Sequence, residues 1–271
     1  MSEDQRFALS HLDPKSTRIN NFKQAMKNSH LTLTAIVLAI GLSAFSDIGW
    51  SEDSNDLVPI LAETGDVFLD DDFDKDFVVK KGHPIFRLGQ GTTWKSEGGL
   101  LVGTQSSPEY QAMKKEQGNG HLGTAPRLQF DGSPKDVIIK YSFKIAGGEF
   151  TKLLPIIEAG HHLRRIYFGP EGTKILVDHE TKAIAESDFV LKLDKWYHVM
   201  VEIKGDEFLL RLQDGPTIYG EDKGVGAEFA NYNIGITATN LGTIQIDNMT
   251  IWTAGDVKKD WAKTKETLSA K

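Results

Sequence analysis

Residues 196–213 read WYHVMVEIKGDEFLLRLQ. Tyr197, Val199, Val201 and Ile203 alternate before the Gly205-Asp206 pair, and Phe208, Leu210 and Leu212 alternate after it. That is the period of a half-buried strand on each side of a tight turn. With a two-residue loop, Ile203 pairs with Phe208, Val201 with Leu210 and Val199 with Leu212, so every pair on one face is apolar. A slip of one residue would turn half of these side chains to the other face, which fixes the register. The opposite face carries His198, Glu202, Lys204, Arg211 and Gln213 beside Met200 and Leu209, and is expected to be mostly wet.

The same period recurs outward from this hairpin. Val137, Ile139, Tyr141, Phe143 and Ile145 alternate with Ile138, Lys140, Ser142 and Lys144, the pattern of a second antiparallel strand with one wet face. Trp94-Lys95-Ser96 and Leu100-Leu101-Val102 flank Glu97-Gly98-Gly99 as a further hairpin. Residues 153–168, LLPIIEAGHHLRRIYF, read as two strands or one kinked strand. In the last strand Ile244 and Ile246 share a face that Met249 and Ile251 regain only if a β-bulge lies near Asp247-Asn248. Residues 105–120 lack a strand period and read as a loop. Asp256 is placed to cap a short terminal helix with Val257, Trp261, Thr264 and Leu268 near one side.

About a dozen short strands with no long helix among them describe an all-β fold, a two-sheet antiparallel β-sandwich with a short C-terminal helix. The size and the lack of a Cys-Trp-Cys framework favour a jelly roll over an immunoglobulin-type sandwich.

The chain of 271 residues has a formal charge of −7. Residues 1–46 hold five Lys/Arg against three Asp/Glu, which leaves about −9 on the remainder. A surface so acidic offers no basic stripe for a phosphate backbone, so nucleic acid is not an expected partner. With no cysteine, disulfides, thiol nucleophiles and Cys-based zinc sites are excluded.

Residues 31–45, LTLTAIVLAIGLSAF, form the most hydrophobic run and follow Lys23 and Lys27. The run is shorter than the ~20 residues of a membrane-spanning helix, and Ala44-Phe45-Ser46 sets small residues where a signal peptidase reads. We expect a cleaved export signal within residues 1–46, with Met26 as an alternative start, a secreted or periplasmic product and no stable membrane insertion after cleavage; an uncleaved anchor is the alternative reading of the run. Residues 47–66 then read as a linker, 67–254 as the sandwich and 255–271 as a helical tail.

Four segments carry a family likeness: FLDDDFD (68–74), TTWKSEGGLLVGT (92–104), LDKWYHVMVEIKGDEFLLRLQDG (193–215) and NIGITATNLGTIQIDNMTIW (233–252). In this order they resemble concanavalin A-like jelly-roll domains, most closely the 3-keto-disaccharide hydrolase domain family, many of whose members are secreted bacterial proteins. The resemblance spans about residues 67–253 and implies action on glycosides oxidised at sugar carbon 3. An Asn-Ser-Gly segment of many members is missing, since residues 145–160 read IAGGEFTKLLPIIEAG. The Glu-x-Asp-x-x-Glu strand of laminarinase-like glycosidases is missing too. Gly160-His161 with Arg164, and Gly120-His121, remain close to some relatives.

The residues offer several chemistries. A 3-keto sugar has an acidified proton at carbon 2, which a base of near-neutral pKa can abstract while an arginine or a metal holds the enolate. His161 and His121 are the candidate bases or metal ligands, and Arg164 the charge stabiliser. If 158–165 is one strand, His162 and Arg164 share a face with Glu158, and His161 shares one with Arg165. His162, Glu158, Trp94 and Trp196 are the candidate substrate-binding residues, the two tryptophans because each opens a strand beside a lysine. Asp178-His179-Glu180 is either a plain hairpin loop or a set of metal ligands. The acidic run 70–76 suits calcium by its oxygens, but Phe77 and His83 stand where a helix-loop-helix calcium loop, counted from Asp72, needs glycine and glutamate. A divalent metal ion is thus the one cofactor to look for. Carbohydrate is the expected ligand, bound by an enzyme or by a non-catalytic recognition module, with a purely structural exoprotein as a third alternative. Convergence of His121, His161 and Arg164 would mark the enzyme; an exposed aromatic flanked by amide and acidic groups would mark the binding module.

Overall fold

The 196–213 hairpin forms in the register that its alternation dictates: Val199 pairs with Leu212, Val201 with Leu210 and Ile203 with Phe208. Gly205 turns the chain at φ +56°, a conformation open to glycine at no steric cost. The computed structural model describes residues 57–148, 154–159, 164–177, 182–228 and 233–269, all inside one compact unit, Ser51–Lys271.

In chain order the strands are β1 (Ala62–Asp71), β2 (Phe77–Val78), β3 (Phe86–Leu88), β4 (Thr93–Glu97) and β5 (Leu100–Thr104). Helix α1 (Pro108–Glu116) precedes β6 (Arg127–Phe130), β7 (Val137–Ala146), β8 (Leu154–Ala159), β9 (Arg164–Gly169), β10 (Gly172–Val177) and β11 (Lys182–Ser187). Then come β12 (Trp196–Lys204), β13 (Glu207–Leu212), β14 (Thr217–Glu221), β15 (Ile234–Thr237), β16 (Thr243–Val257) and helix α2 (Trp261–Ser269).

Two antiparallel sheets result. One has nine strands in the order β14-β13-β12-β7-β16-β5-β4-β2, with β1 also paired to β16; the other runs β11-β10-β9-β8-β15-β6-β3. Long connections place β7 between β12 and β16, and β15 between β6 and β8, as a jelly-roll sandwich requires. The inward residues of β7 and of the 196–213 hairpin meet Leu128, Phe130, Ile166, Phe168, Ile175 and Ile234 of the other sheet in one core. The bulge in β16 is present: the ladder to β7 shifts between Asp247 and Thr250, and Asn248 takes φ +48°.

Four expectations are corrected. The outer face of the hairpin is not wet along its whole length, because Met200, Glu202 and Leu209 are buried under Leu57, Leu61, Ala62 and Trp261. The covering chain includes residues expected in a linker; from Ala62 onward it pairs with β16, Ala62 opposite Val257. This pairing extends β16 to Val257, so α2 starts only at Trp261, and Thr264 donates its N–H to the Asp260 carbonyl at 3.1 Å. Within the expected loop 105–120, α1 forms with Ser107 as its cap, the side chain accepting from the Tyr110 N–H at 3.2 Å, and Pro108 in the first turn. No residue of α1 is buried, so it shows no apolar stripe; Ser-Pro at its start was the legible signal.

Candidate functional site

Among the described residues, the proposed site residues do not gather. β8 and β9 pair antiparallel, with Glu158 opposite Arg165 and Ala159 opposite Arg164, so Glu158 shares its face with Arg165 and not with Arg164. Glu158 is 2% exposed. Its carboxylate lies 2.5 Å from Arg165 Nη2 and 3.1 Å from Arg127 Nη2, and Arg165 Nη1 also donates to the Tyr167 hydroxyl at 2.5 Å. This is an enclosed ion network, so Glu158 is committed to protein partners.

Arg164 is 0% exposed. It donates to the main-chain carbonyls of Ala159 at 3.2 Å, Lys135 at 3.1 Å and Val225 at 3.3 Å, which makes it a strut under strand ends, not a group facing solvent. His121 is exposed, its Nδ1 3.1 Å from Gln90 Nε2. The ladders set Arg164 level with Ala159, Ile234 and Phe130, the end at which β6 leaves the sheet, whereas His121 precedes Arg127, where β6 enters. The two stand at opposite ends of the seven-stranded sheet.

Trp94 is also corrected, from rim to core. It is 0% exposed, its Nε1 donates to Thr92 Oγ1 at 3.2 Å and to the Arg127 carbonyl at 3.1 Å, and a Cβ on Gly103 would lie 2.6 Å from its ring. His161, His162 and Asp178-His179-Glu180 lie outside the described residues. In the acidic run, Asp71 accepts the Phe73 N–H at 2.8 Å and Asp72 the Asp74 N–H at 3.1 Å. Among the described residues no group of three or more His, Asp or Glu is placed to hold a metal ion.

Trp196 is the proposed residue that opens on a solvent-facing surface. It starts β12 on the outer face of the nine-stranded sheet, half-buried, with Lys144 Nζ 5.2 Å from its ring centre. The ladder then builds two polar rows. Trp196 stands opposite Lys144, and Lys144 opposite Gln245. One step along, His198 stands opposite Ser142, and Ser142 opposite Asp247; the Gln213 N–H joins this row by donating to the His198 carbonyl at 3.0 Å. Adjacent strands bring such cross-strand side chains within ~5.5 Å of one another, so an indole, two amides, a hydroxyl, an imidazole and a carboxylate share one face, Ser142 and Asp247 being buried within it at 4% and 6% exposure.

Burial shifts two titratable groups of this face. The imidazole of His198 shares a 2.6 Å hydrogen bond with Ser142 Oγ. Burial holds it below its usual pKa; Asp214 pulls the other way and Lys140 reinforces the drop. Burial raises the Asp247 carboxyl, against hydrogen bonds from Asn248 and with help from Asp74 and Asp72. Gln245 Oε1 is enclosed with no hydrogen-bond partner among the described residues, a deficit that an ordered water would fill. Ser142, His198, Gln213, Gln245 and Asp247 were not singled out from sequence. The alternation of β7 and β12 put Lys140, Ser142, Lys144 and His198 on outer faces, but only the pairing of β7 with β16, a hundred residues later, joins them to Asp247.

No protein-family model matches the chain, and no curated protein matches it in sequence. Among solved structures it is similar to a non-specific endo-β-1,3(4)-glucanase at 9% identity, TM-score 0.49, over 74% of this chain and 98% of that one. It is similar to a carbohydrate-binding module from Bacillus subtilis at 15% identity and TM-score 0.41, over 62% and 95%. A protein of unknown function with a galectin-like fold, also from Bacillus subtilis, matches at 9% identity and TM-score 0.45, over 72% and 99%. The fold assignment rests on the sheet topology and not on likenesses of this order.

Proposed function

We propose that this protein is an exported carbohydrate-binding β-sandwich whose ligand lies on the outer face of the nine-stranded sheet across Trp196. The observation that carries the reading is the half-buried indole beside the Gln245, Asp247, Ser142, His198 and Gln213 side chains. A sugar ring presents an apolar C–H face that stacks on an indole and a rim of hydroxyls that exchange hydrogen bonds with mixed donors and acceptors. The four segments that resemble 3-keto-disaccharide hydrolase domains support glycosides as the ligand class. Export rests on residues 23–46, and the mass of the protein recovered outside the cytoplasm tests it.

The binding test is titration of the full chain with a panel of neutral and charged oligosaccharides, wild type against Trp196→Ala. Loss of affinity of roughly tenfold or more in a folded variant is expected; unchanged affinity overturns the site.

One observation favours a catalytic reading at the same face: His198, held below its usual pKa, hydrogen-bonded to Ser142. In that reading His198 removes the proton at carbon 2 of a 3-keto-glycoside. The electron pair moves to the carbon 3 oxygen as an enolate beside the Lys144 ammonium, then returns to expel the substituent at carbon 1, which departs with a proton. This role replaces the one first sought at Arg164, which is enclosed. Turnover of a 3-keto-glycoside that His198→Gln abolishes, with binding retained, supports it; turnover untouched by that change rejects it.

A further inference from the structure

We infer that the saccharide bound at the Trp196 face is anionic, bearing carboxylate or sulfate groups, and that Lys140 and Lys144 are its recognition residues. The inference rests on the binding face proposed above and deepens it. Its basis is how the strands treat their lysines. Lys95, Lys174, Lys182 and Lys204 each lie in a strand and each meets a carboxylate: Glu97, Glu186, Asp222 and Asp136 in turn. Lys140 and Lys144, the other lysines of the described strands, are half-buried on the same outer face with no carboxylate within 4 Å among the described residues.

That choice is costly in a chain of net charge −7, where carboxylates outnumber cations and surface lysines find partners readily. A half-buried ammonium without a counter-ion loses hydration and gains little in return. Lys140 shows the consequence, its pKa lowered by burial with no opposing contribution. Lys144 has the Trp196 ring as its neighbour, which steadies a cation without neutralising it. An anion delivered by a ligand would supply the missing charge to both.

The spacing says how. Lys140 and Lys144 flank Ser142 on one strand, four residues apart, about 13 Å along the sheet at ~3.3 Å per residue. They therefore address two anionic groups on different sugar units, with Ser142 and His198 between them for hydroxyls. The acidic groups bordering the face are Asp247, on the other side of Ser142 and within reach of Asp72 and Asp74, Asp70, which accepts from Thr250 opposite Lys140, and Asp214, near His198.

The test uses the full chain and three probes: a polygalacturonate oligosaccharide, a sulfated galactan oligosaccharide and a neutral β-glucan oligosaccharide of similar length. Each is titrated into wild type, Lys140→Gln, Lys144→Gln, the double variant and Trp196→Ala, with thermal melts to confirm folding. At least one charged probe is expected to bind about tenfold tighter than the neutral one, with the advantage shrinking as salt shortens the screening length. Each single lysine change should weaken charged binding roughly threefold to fivefold, and the double change should erase the preference, bringing charged and neutral probes to the same affinity. The better of the uronate and sulfate probes identifies the source of the charge. Equal, salt-insensitive binding of neutral and charged probes, still lost in Trp196→Ala, overturns the anionic inference and leaves the binding face standing. Absence of binding by all three probes overturns both.

Discussion

Glu202 and Leu61 meet across 141 positions of sequence: the carboxylate Oε2 accepts the Leu61 N–H at 2.9 Å. The same carboxylate takes the Ile60 N–H at 3.0 Å and the Ala62 N–H at 3.3 Å. Three successive backbone donors thus converge on one fully buried anion, the arrangement of an anion-binding nest, with Arg211 Nη2 at 3.7 Å. Through this knot the chain before β1 is tied over Met200 and Leu209. Glu202→Ala should cost about 3 kcal/mol in urea unfolding, since it orphans buried donors and the Arg211 charge together. Deletion of residues 1–61 should cost less in that background than in wild type, because both changes remove the same contact; strict additivity would refute the knot.

The His198 imidazole sits below its ordinary value of 6.5 because burial penalises its charged form. The folded protein then binds fewer protons at this group than the unfolded chain does. The stability contribution is full above the unfolded pKa and lost as pH falls through the lower folded value. NMR titration of the His198 ring should report a midpoint under 6.5, and His198→Gln should flatten the decline in stability on the acid side of that pH. A midpoint at or above 6.5 would mean that burial does not penalise the charged ring.

Trp94 and Trp196 looked alike in sequence, each starting a strand beside a lysine, and the fold separates them. Trp94→Ala should cost roughly 3–5 kcal/mol by opening a cavity in the core, and Gly103→Ala should destabilise as well, since its Cβ would lie 2.6 Å from the ring. Trp196→Ala should cost far less and act on ligand binding. Denaturation midpoints of the three variants measure this; a Trp196→Ala loss as large as that of Trp94→Ala would place Trp196 in the core.

What could be read from the chain follows from how local each signal is. The register of the 196–213 hairpin and the bulge at Asn248 were legible because a period of two leaves one arrangement that keeps every apolar side chain inward. The grouping of Glu158 with Arg164 on one face was misjudged because the sequence 158–165 keeps the look of one strand, whereas Glu158 and Arg165 stand opposite each other on two paired strands. Trp94 was misplaced because the groove made by Gly103 lies on another strand. The row from His198 through Ser142 to Asp247 was invisible, since it depends on which distant strands become neighbours, and no local pattern encodes that.

Tyr141 offers the last test, because its alternation fixed its position while its hydroxyl has no evident use. The side chain is 1% exposed in the core, tilted against Phe143 at 5.6 Å, and the hydroxyl is buried with no hydrogen-bond partner among the described residues. Burial drives its pKa far upward, so it stays protonated at all working pH and contributes only an unmet donor and acceptor. Tyr141→Phe keeps the ring and removes that deficit. Because an unpaired buried hydroxyl costs ~1–3 kcal/mol, the variant should be more stable by about 1 kcal/mol, a rise of roughly 2–4 °C in Tm for a domain of this size. Destabilisation instead would mean that the hydroxyl is bound by an ordered water within the core, and a water-filled site between Tyr141 and the facing sheet would then be part of the packing.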